Sequence, residues 1–453
     1  VRIAKELERM GTHILGIKDM AGLLRPYAAE KLVRTLREEV SIPIHLHTHD
    51  TSGLNAASIL KAAEAGVNVA DAAVSSMSGA TSQPNLNSIV AALDHTERAS
   101  SLSFDALDDY SGYWETVRHF YTPFDNAPRS GAAEVYIHEM PGGQYTNLKE
   151  QAESMGLGSR WHEIARTYAD VNMAFGDIVK VTPSSKVVGD LAIFLVSHDM
   201  TAKDLENLPP DHHLTLPNSV VDMFMGSLGE PEGGWPKKLQ QAILRGKEPQ
   251  HGRPGEHLAP VDLEAAAKTV EEQTGSTSHT DLMSYLMYPN VFLKFSQARE
   301  SFGDLEVLPT PQFFYGLEKA SEVTIELEPG KTLFVRLLTI GDARPDGFRT
   351  VFFELNGQPR EVEVRDRSLK AAASLRQKAD PAKPGEVGAP IPGVVTVLYI
   401  KPGQEVAKGE KLLVMEAMKM QTTVYAPIEG IVKKVAIGAH ENVEARDLLL
   451  TIE

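Results

Sequence analysis

Residues 1 to about 95 alternate between strand-like and helical hydrophobic patterns. The runs 12–19, 42–50 and 67–74 are short and apolar, as buried strands are, and amphipathic helical patterns follow each of them. Strict alternation of strand and helix predicts a parallel sheet covered by helices. The segment looks like the later part of a (β/α)₈ TIM barrel. Since three strands cannot close a barrel, we expect the earlier strands to precede residue 1.

The pattern changes again beyond residue 100. It is largely helical at first, with amphipathic runs at 161–172 and 185–196, and then strand-like from 322 to 364, where Asn356 and Gly357 predict a hairpin turn. The chain is therefore multidomain α/β. The expected segments are the barrel part (1–100), a helical extension (101–301), a small α+β segment with β-hairpins (302–373), a basic linker (374–388) and a C-terminal all-β flattened barrel (389–453).

The last segment contains an internal repeat with a lysine near the join. Residues 389–395 recur as 426–432, offset by 37 positions. Apolar and β-branched runs on both sides of Lys419 predict a hairpin with this lysine at its tip. A lysine between two methionines at an exposed turn has no packing role, so we interpret it as a carrier lysine. An ordinary surface lysine would require the repeat and the motif to coincide by chance.

This segment resembles the biotinyl carrier domains. Glu416–Met420 is similar to their biotinylation motif, which implies that a biotin protein ligase attaches biotin covalently to Lys419. Lipoyl domains share the fold, but their lysine usually follows an acidic residue. The flanking methionines therefore favour biotin.

Composition excludes several classes of function. The chain has 453 residues, enough for roughly two to four domains. A net charge of −16 disfavours non-specific nucleic-acid binding. With no cysteine, the chain forms no disulfide, thiolate nucleophile or Cys-ligated zinc site, and no run approaches the roughly 18 apolar residues of a membrane span. Because an amphipathic helical pattern covers residues 1–10, at the very start of the sequence, we expect this chain to be a piece of a longer protein.

Three histidines alternate along the second predicted strand. His45, His47 and His49 share one face because side chains alternate along a strand. His47 and His49 are nearest the carboxyl end, where barrel active sites lie, and imidazoles two residues apart can chelate one metal ion. Lys18 ends the preceding strand. It either pairs with a carboxylate or is carboxylated to an anionic ligand, and the residues alone favour the salt bridge.

Gly16–Gly22 and His45–Asp50 together resemble the carboxyltransferase domain of the biotin-dependent pyruvate carboxylase family. The resemblance implies a zinc or manganese ion bound by carbamylated Lys18, His47 and His49. An aspartate from the first barrel strand would complete the set, and it would precede residue 1. The first of the three histidines is not a ligand in the family, so we expect it behind the ligands or in the core.

A second motif, His138–Leu148, is similar to one found in pyruvate carboxylases and near relatives. Its Pro-Gly-Gly centre predicts a turn. From the residues alone, it is also compatible with a helix start capped by Thr146 or Asn147.

The third motif is Thr182–Asp190. The residues alone predict a helix N-terminus with serine caps, which would also favour a nearby anion. The family resemblance implies that Thr182 shuttles a proton between biotin and pyruvate and that Ser185 contacts the biotin ring.

The resemblance implies carboxyl transfer from carboxybiotin on Lys419 to pyruvate, giving oxaloacetate. It also implies a ligase that uses ATP, Mg²⁺ and bicarbonate at a biotin carboxylase domain outside this chain. For the segment 302–373 the resemblance implies activation by acetyl-CoA and assembly of a homotetramer. For the enzyme as a whole it implies a cytoplasmic location in a bacterium or a mitochondrial matrix location in an animal. Candidate acetyl-CoA contacts, which we rather expect to be solvated surface, are Lys331, Arg336, Arg344 and Arg349.

Two alternatives stay open. One is the carboxyltransferase subunit of an oxaloacetate decarboxylase or a transcarboxylase, although the motif at His138 and the strands of 322–364 favour pyruvate carboxylase. The other is that this polypeptide acts only as a biotin carrier and a scaffold. With much of the barrel outside it, we expect this polypeptide not to carboxylate pyruvate by itself.

Overall fold

The structure is a computed structural model that describes residues 1–209, 214–256, 258–344, 347–366, 377–380, 383–417, 420–439 and 441–453. The chain divides into two compact units. The first comprises residues 1–256 and 376–453, and the second comprises residues 257–375. None of the described helices is both long and apolar enough to cross a bilayer.

Helices dominate the first unit before residue 256. They are α1 (Arg2–Arg9), α2 (Pro26–Glu39), α3 (Asn55–Glu64), α4 (Leu86–Leu93), α5 (Phe104–Tyr121), α6 (Val135–His138), α7 (Gly142–Ser154), α8 (Trp161–Ala174), α9 (Ser184–Ser197), α10 (Ala202–Glu206), α11 (Asn218–Met225) and α12 (Lys237–Leu244). Short 3-10 turns lie at Ser75–Met77, Thr122–Phe124, Gly158–Arg160 and Pro254–Glu256. The strands of this part are β1 (Leu15–Asp19), β2 (Ile44–Thr48) and β3 (Val69–Ala70).

The three strands form the predicted parallel sheet, in the order β1-β2-β3, and helices follow each of them. Ile44 and Leu46 are fully buried and pack against the apolar faces of α2 and α3, so the histidines of β2 point to the other side. The sheet is open, and no closed barrel forms among the described residues.

The third strand is shorter than predicted. The pattern predicts 67–74, but only Val69–Ala70 join β2. Ala73 instead forms a parallel bridge with Asn85, just before α4. The chain therefore leaves the sheet near Asp71, which frees this side chain to turn towards β2.

The helical extension has its core around α9. This helix is present where predicted, but the amphipathic prediction is wrong, because every residue from Val187 to Val196 is buried. The run is apolar on all sides apart from Asp190, and it packs against α8 and α11. Asp190 accepts hydrogen bonds from Lys186 and Ser219, which compensates the buried carboxylate.

The second unit holds α13 (Leu263–Thr274), α14 (His279–Met287), α15 (Pro289–Phe302) and α16 (Thr310–Tyr315), followed by β4 (Glu322–Glu328), β5 (Lys331–Ile340), β6 (Phe348–Leu355) and β7 (Gln358–Arg365). The strands form one antiparallel sheet in sequence order. Asn356 and Gly357 join β6 to β7 with φ of 48° and 78°, as the predicted hairpin turn requires. The four basic residues named above as acetyl-CoA candidates each pair with a carboxylate of this unit.

The C-terminal residues form two four-stranded sheets. Their strands are β8 (Glu386–Gly388), β9 (Gly393–Leu398), β10 (Glu405–Val406), β11 (Lys411–Ala417), β12 (Met420–Tyr425), β13 (Gly430–Val435), β14 (Asn442–Val443) and β15 (Leu448–Ile452). One sheet has the order β10-β13-β15-β8 and the other β12-β11-β9-β14. The predicted repeat is confirmed, because β9, β10 and β11 recur 37 positions later as β13, β14 and β15.

The end of the predicted linker belongs to this β domain. β8 pairs with β15, and its Val387 is buried in the domain core. Residues 367–373, and residues 374–376, 381 and 382 of the basic linker, lie outside the described residues. The domain boundaries given above therefore stay predictions.

Candidate metal and proton-transfer site

The carboxyl end of β2 brings two imidazoles together. His47 Nε2 and His49 Nε2 are 3.3 Å apart. His47 Nδ1 lies 2.8 Å from Asp71 Oδ2, and His49 Nδ1 lies 2.7 Å from the carbonyl oxygen of Thr81. Both oxygens can only accept a hydrogen bond, so each Nδ1 carries the proton and each Nε2 presents a lone pair.

This arrangement fits a divalent metal. Two imidazole nitrogens at roughly 2.1 Å from one ion would lie roughly 3.0–3.4 Å apart, close to the observed separation. Burial lowers the pKa of His49 despite its hydrogen bond to Thr81, which favours the neutral form that binds metals. No cluster of three or more His, Cys, Asp or Glu ligands forms within the described part of the chain. A further ligand from this region would therefore have to be of another kind.

Lys18, which the family resemblance predicts as a ligand, lies on the neighbouring strand β1. It lies directly opposite His47 in the parallel register of β1 and β2. The salt bridge favoured by the sequence is not seen, since no carboxylate in the described ranges lies within ion-pair distance of its ammonium. The neighbouring Asp19 accepts hydrogen bonds from Leu23, Leu24 and Thr48 instead.

Asp71 is a site residue that the sequence reasoning missed. Its two carboxylate oxygens accept hydrogen bonds from His45 Nε2, at 2.7 Å, and from His47 Nδ1. Burial alone would raise the pKa of Asp71, but the two imidazoles outweigh it and lower this pKa. His45 therefore lies behind the paired nitrogens. The sequence did contain a signal for this role, because Asp71 is an acidic residue at the end of β3, the strand that pairs with the histidine strand β2.

The motif at His138 packs directly behind His49. The helix start that we considered at Thr146 or Asn147 is wrong, because α7 already begins at Gly142. Gly142 donates its N–H to Met20 O at 3.0 Å. A Cβ at this position would lie 2.5 Å from Thr81 O and 2.8 Å from His49 Nδ1, so only glycine allows this approach.

Thr182 and Ser185 lie at one pocket of about 380 Å³. Met20, which follows the end of β1, and Pro141 and Gln144 also line it. The pocket therefore adjoins both the end of β1 and the start of α9. Thr182 is exposed, whereas Ser185 is buried and its carbonyl oxygen accepts a hydrogen bond from Tyr168 Oη at 3.4 Å.

The predicted serine cap of this segment takes an unexpected form. α9 begins at Ser184 and is preceded by Pro183. The Ser184 hydroxyl accepts a hydrogen bond from the Val181 N–H, which precedes the helix, at 3.1 Å. The hydroxyl thus holds the loop on which Thr182 lies.

Lys419 and Met418 lie outside the described residues. Ala417 and Met420, on either side of them, pair as the last residues of the β11–β12 hairpin. In sequence, the predicted carrier lysine thus falls between two paired strands.

The same hairpin contacts the helical extension. Thr423 of β12 and the side-chain amide of Asn218, at the start of α11, lie 3.1 Å apart. The guanidinium of Arg245 lies 5.9 Å from the ring centroid of Tyr425. These contacts seat the β domain on α11 and the end of α12.

Comparison with protein-family models identifies three matches along the chain. Residues 1–112 match an HMGL-like model, residues 135–336 match the conserved carboxylase domain, and residues 385–452 match the biotin-requiring enzyme model.

Curated relatives match over the full length of the chain. It is 49% identical over 452 residues to the pyruvate carboxylase of Bacillus subtilis, covering 100% of this chain and 39% of that protein. It is 44% identical over 455 residues to the mitochondrial pyruvate carboxylase of Homo sapiens, covering 100% of this chain and 38% of that protein. The chain thus spans about two fifths of the length of these relatives.

Solved structures agree with this match. The carboxyl transferase domain of Rhizobium etli pyruvate carboxylase with pyruvate and biocytin is 51% identical, with a TM-score of 0.76, over 81% of this chain and 61% of that chain. The complete multifunctional pyruvate carboxylase of the same organism is 47% identical, with a TM-score of 0.74, over 99% of this chain and 41% of that chain.

Proposed function

The chain belongs to the pyruvate carboxylase family, and we propose that it performs the carboxyl-transfer half of that enzyme's reaction. A carboxyl group would pass from biotin on Lys419 to the methyl carbon of pyruvate and give oxaloacetate. The observation that carries the proposal is the pocket described above. It adjoins the strand of Lys18 on one side and presents Thr182 and Ser185 on the other.

His47, His49 and a carbamylated Lys18 would hold zinc or manganese. When bound, the metal would polarise the carbonyl oxygen of pyruvate and stabilise its enolate. Asp71 and the Thr81 carbonyl fix the tautomer and orientation of the two imidazoles, as partners of metal-bound histidines commonly do. No carboxylate of the described residues pairs with Lys18, which supports carbamylation of its amino group.

Thr182 would relay a proton. Its hydroxyl would give a proton to the ureido nitrogen of biotin, as the bond from that nitrogen to the carboxyl carbon breaks. It would take one from the methyl group of pyruvate, so that it ends unchanged. The resulting enolate carbon then bonds to the released CO₂. The exposure of Thr182 at the pocket supports this role, and the position of Ser185 in the same pocket supports a contact with the biotin ring.

The remaining properties are proposed from the family. They are use of ATP, Mg²⁺ and bicarbonate at a biotin carboxylase domain, biotinylation by a biotin protein ligase, activation by acetyl-CoA, and a homotetramer. The enzyme would act in the cytoplasm of a bacterium or in the mitochondrial matrix of an animal. The alternative of a decarboxylase or transcarboxylase subunit is not favoured, because the relatives described above are pyruvate carboxylases along the whole chain.

The test uses Thr182→Ala in a full-length pyruvate carboxylase that carries this segment. We expect oxaloacetate formation to be lost, while bicarbonate-dependent cleavage of ATP continues. A mutant that loses both reactions would point to a structural role for Thr182. A mutant that keeps both would contradict the proposed relay.

A further inference from the structure

We propose that Glu139 is a positioning residue for the proton relay and that it acts through its ion pair with Lys180. This inference rests on the proposed function of Thr182. Glu139 belongs to the motif at His138, whose Gly142 packs against Thr81 and His49. Its carboxylate does not line the pocket, so its influence must reach the reaction through another residue.

The ion pair connects two segments that are far apart in the sequence. Lys180 Nζ lies 2.9 Å from Glu139 Oε2. The side chain of Lys180 is only 10% exposed, and that of Glu139 is 42% exposed. No second carboxylate in the described part of the chain lies within ion-pair distance of this ammonium. Removal of the Glu139 charge would therefore leave a largely buried cation without a partner, which proteins tolerate poorly.

Lys180 lies two residues before Thr182, in the loop between α8 and α9. On its C-terminal side the loop is held by the Ser184 hydroxyl and by the contact of Tyr168 with Ser185. Among the hydrogen bonds and ion pairs of the described residues, only the pair with Glu139 joins residues 179–182 to a segment other than the start of α9. The ion pair is therefore well placed to fix the position of the loop that carries Thr182.

Glu139 is itself held firmly. Its backbone is left-handed, with φ of 53°, and its N–H donates to Val135 O at 2.7 Å. The residues on either side, His138 and Met140, are buried, and the Met140 N–H donates to His138 Nδ1 at 3.0 Å. Since both neighbours are fixed, the Glu139 carboxylate has a defined position against which Lys180 can be placed.

The same short segment is also fixed next to His49. Three residues after Glu139, Gly142 donates to Met20 O and packs without space for a side chain against Thr81 and His49. Residues 139–142 therefore contact His49 at one end and the Thr182 loop at the other. A proton relay depends on the separation of its groups, and a misplacement of about 1 Å can reduce a rate about 100-fold.

The experiment introduces Glu139→Gln into the full-length enzyme. This substitution keeps the shape of the side chain and removes its charge. We expect the kcat for oxaloacetate formation to fall roughly 10- to 100-fold, with the KM for pyruvate and the metal content unchanged. Bicarbonate-dependent cleavage of ATP should also stay at the wild-type rate.

Two further variants make the outcome specific to the ion pair. Lys180→Arg keeps the pair and should retain most of the activity, and exchange of the two charges (Glu139→Lys with Lys180→Glu) should recover part of what Glu139→Gln loses. Glu163→Gln is the matched control, because it breaks the exposed pair of Glu163 with Arg160 in the same helical region. It should leave kcat unchanged.

A wild-type kcat in Glu139→Gln would overturn the inference, as would loss of metal or of thermal stability in proportion to the lost activity. No recovery on charge exchange, with Lys180→Arg as impaired as Glu139→Gln, would also count against it. The proposed function is tested separately in the same series. If the unmodified enzyme forms no oxaloacetate from pyruvate, that function fails, whatever Glu139 does.

Discussion

The histidine pair and the Thr182 loop position their reactive groups in different ways. His47 lies on β2 and His49 follows directly after it, and the alternation of side chains along this extended segment places both imidazoles on one face. Thr182 lies on a loop that the ion pair of Lys180 with Glu139 joins to a distant segment. The metal side is therefore largely fixed by local secondary structure, whereas the relay side depends on tertiary contacts. Substitutions should be able to damage one side and leave the other intact.

The largest effect is expected on the metal side. His47→Ala or His49→Ala removes one of the two converging nitrogens, so elemental analysis should find the purified enzyme without its metal, and carboxylation of pyruvate should be lost. Thr182→Ala is the control from the other side, and it should retain the metal. Full metal occupancy in both histidine variants would refute the assignment of these residues as ligands.

A smaller effect is expected from Asp71→Asn. Asparagine keeps the size of the side chain but removes the charge that fixes His45 and His47, and loss of such a partner typically weakens metal binding about 10- to 100-fold. Titration of the metal-free enzyme with zinc would measure this change. Asp94→Asn, which alters an exposed pair of Asp94 with His95, should leave the affinity unchanged.

Prediction from the sequence succeeded where a pattern is local. The histidine face of β2, the Asn356-Gly357 turn and the repeat of the β domain all follow from neighbouring residues. Asp71 was missed because its role depends on the chain leaving the sheet after Ala70, which the apolar run to Val74 conceals. The burial of α9 and the ion pair of Glu139 with Lys180 likewise depend on tertiary contacts, and no residue spacing in the sequence predicts them.

The pH dependence of stability offers a test of the segment that joins the two sides. Burial lowers the pKa of His138 to about 4 from 6.5, so the unfolded chain binds a proton more tightly than the folded one. The free energy of unfolding should therefore be unaffected by this group above pH 6.5 and should decrease as the pH falls from 6.5 towards 4, by roughly 3 kcal/mol. Chemical unfolding at several pH values measures it.

His138→Gln is the control variant for that measurement. Glutamine can still accept the hydrogen bond of the Met140 N–H but does not titrate. The variant should lose the part of the pH dependence that lies between 4 and 6.5. If its stability follows the same curve as that of the wild type, His138 does not have the buried, neutral state described here.

The smallest effect concerns the β domain rather than the pocket. Asn218→Ala removes the hydrogen bonds to Thr423, which are worth about 1 kcal/mol. The rate of carboxyl transfer with tethered biotin should therefore fall about fivefold. Free biotin, which needs no seated domain, should react as before. Asn207→Ala, in an exposed contact with Lys203, is the matched control. Equal losses with tethered and free biotin would place the defect in the pocket instead.

We propose that this segment transfers a carboxyl group between biotin on Lys419 and pyruvate. It is tested most directly by the exchange of isotopically labelled pyruvate into oxaloacetate in the absence of ATP, because this exchange needs only the carboxyl-transfer half of the reaction. With the biotinylated full-length enzyme we predict that label appears in oxaloacetate, and that Lys419→Ala abolishes this exchange. Exchange at the wild-type rate in Lys419→Ala, or none with the biotinylated enzyme, would contradict the account.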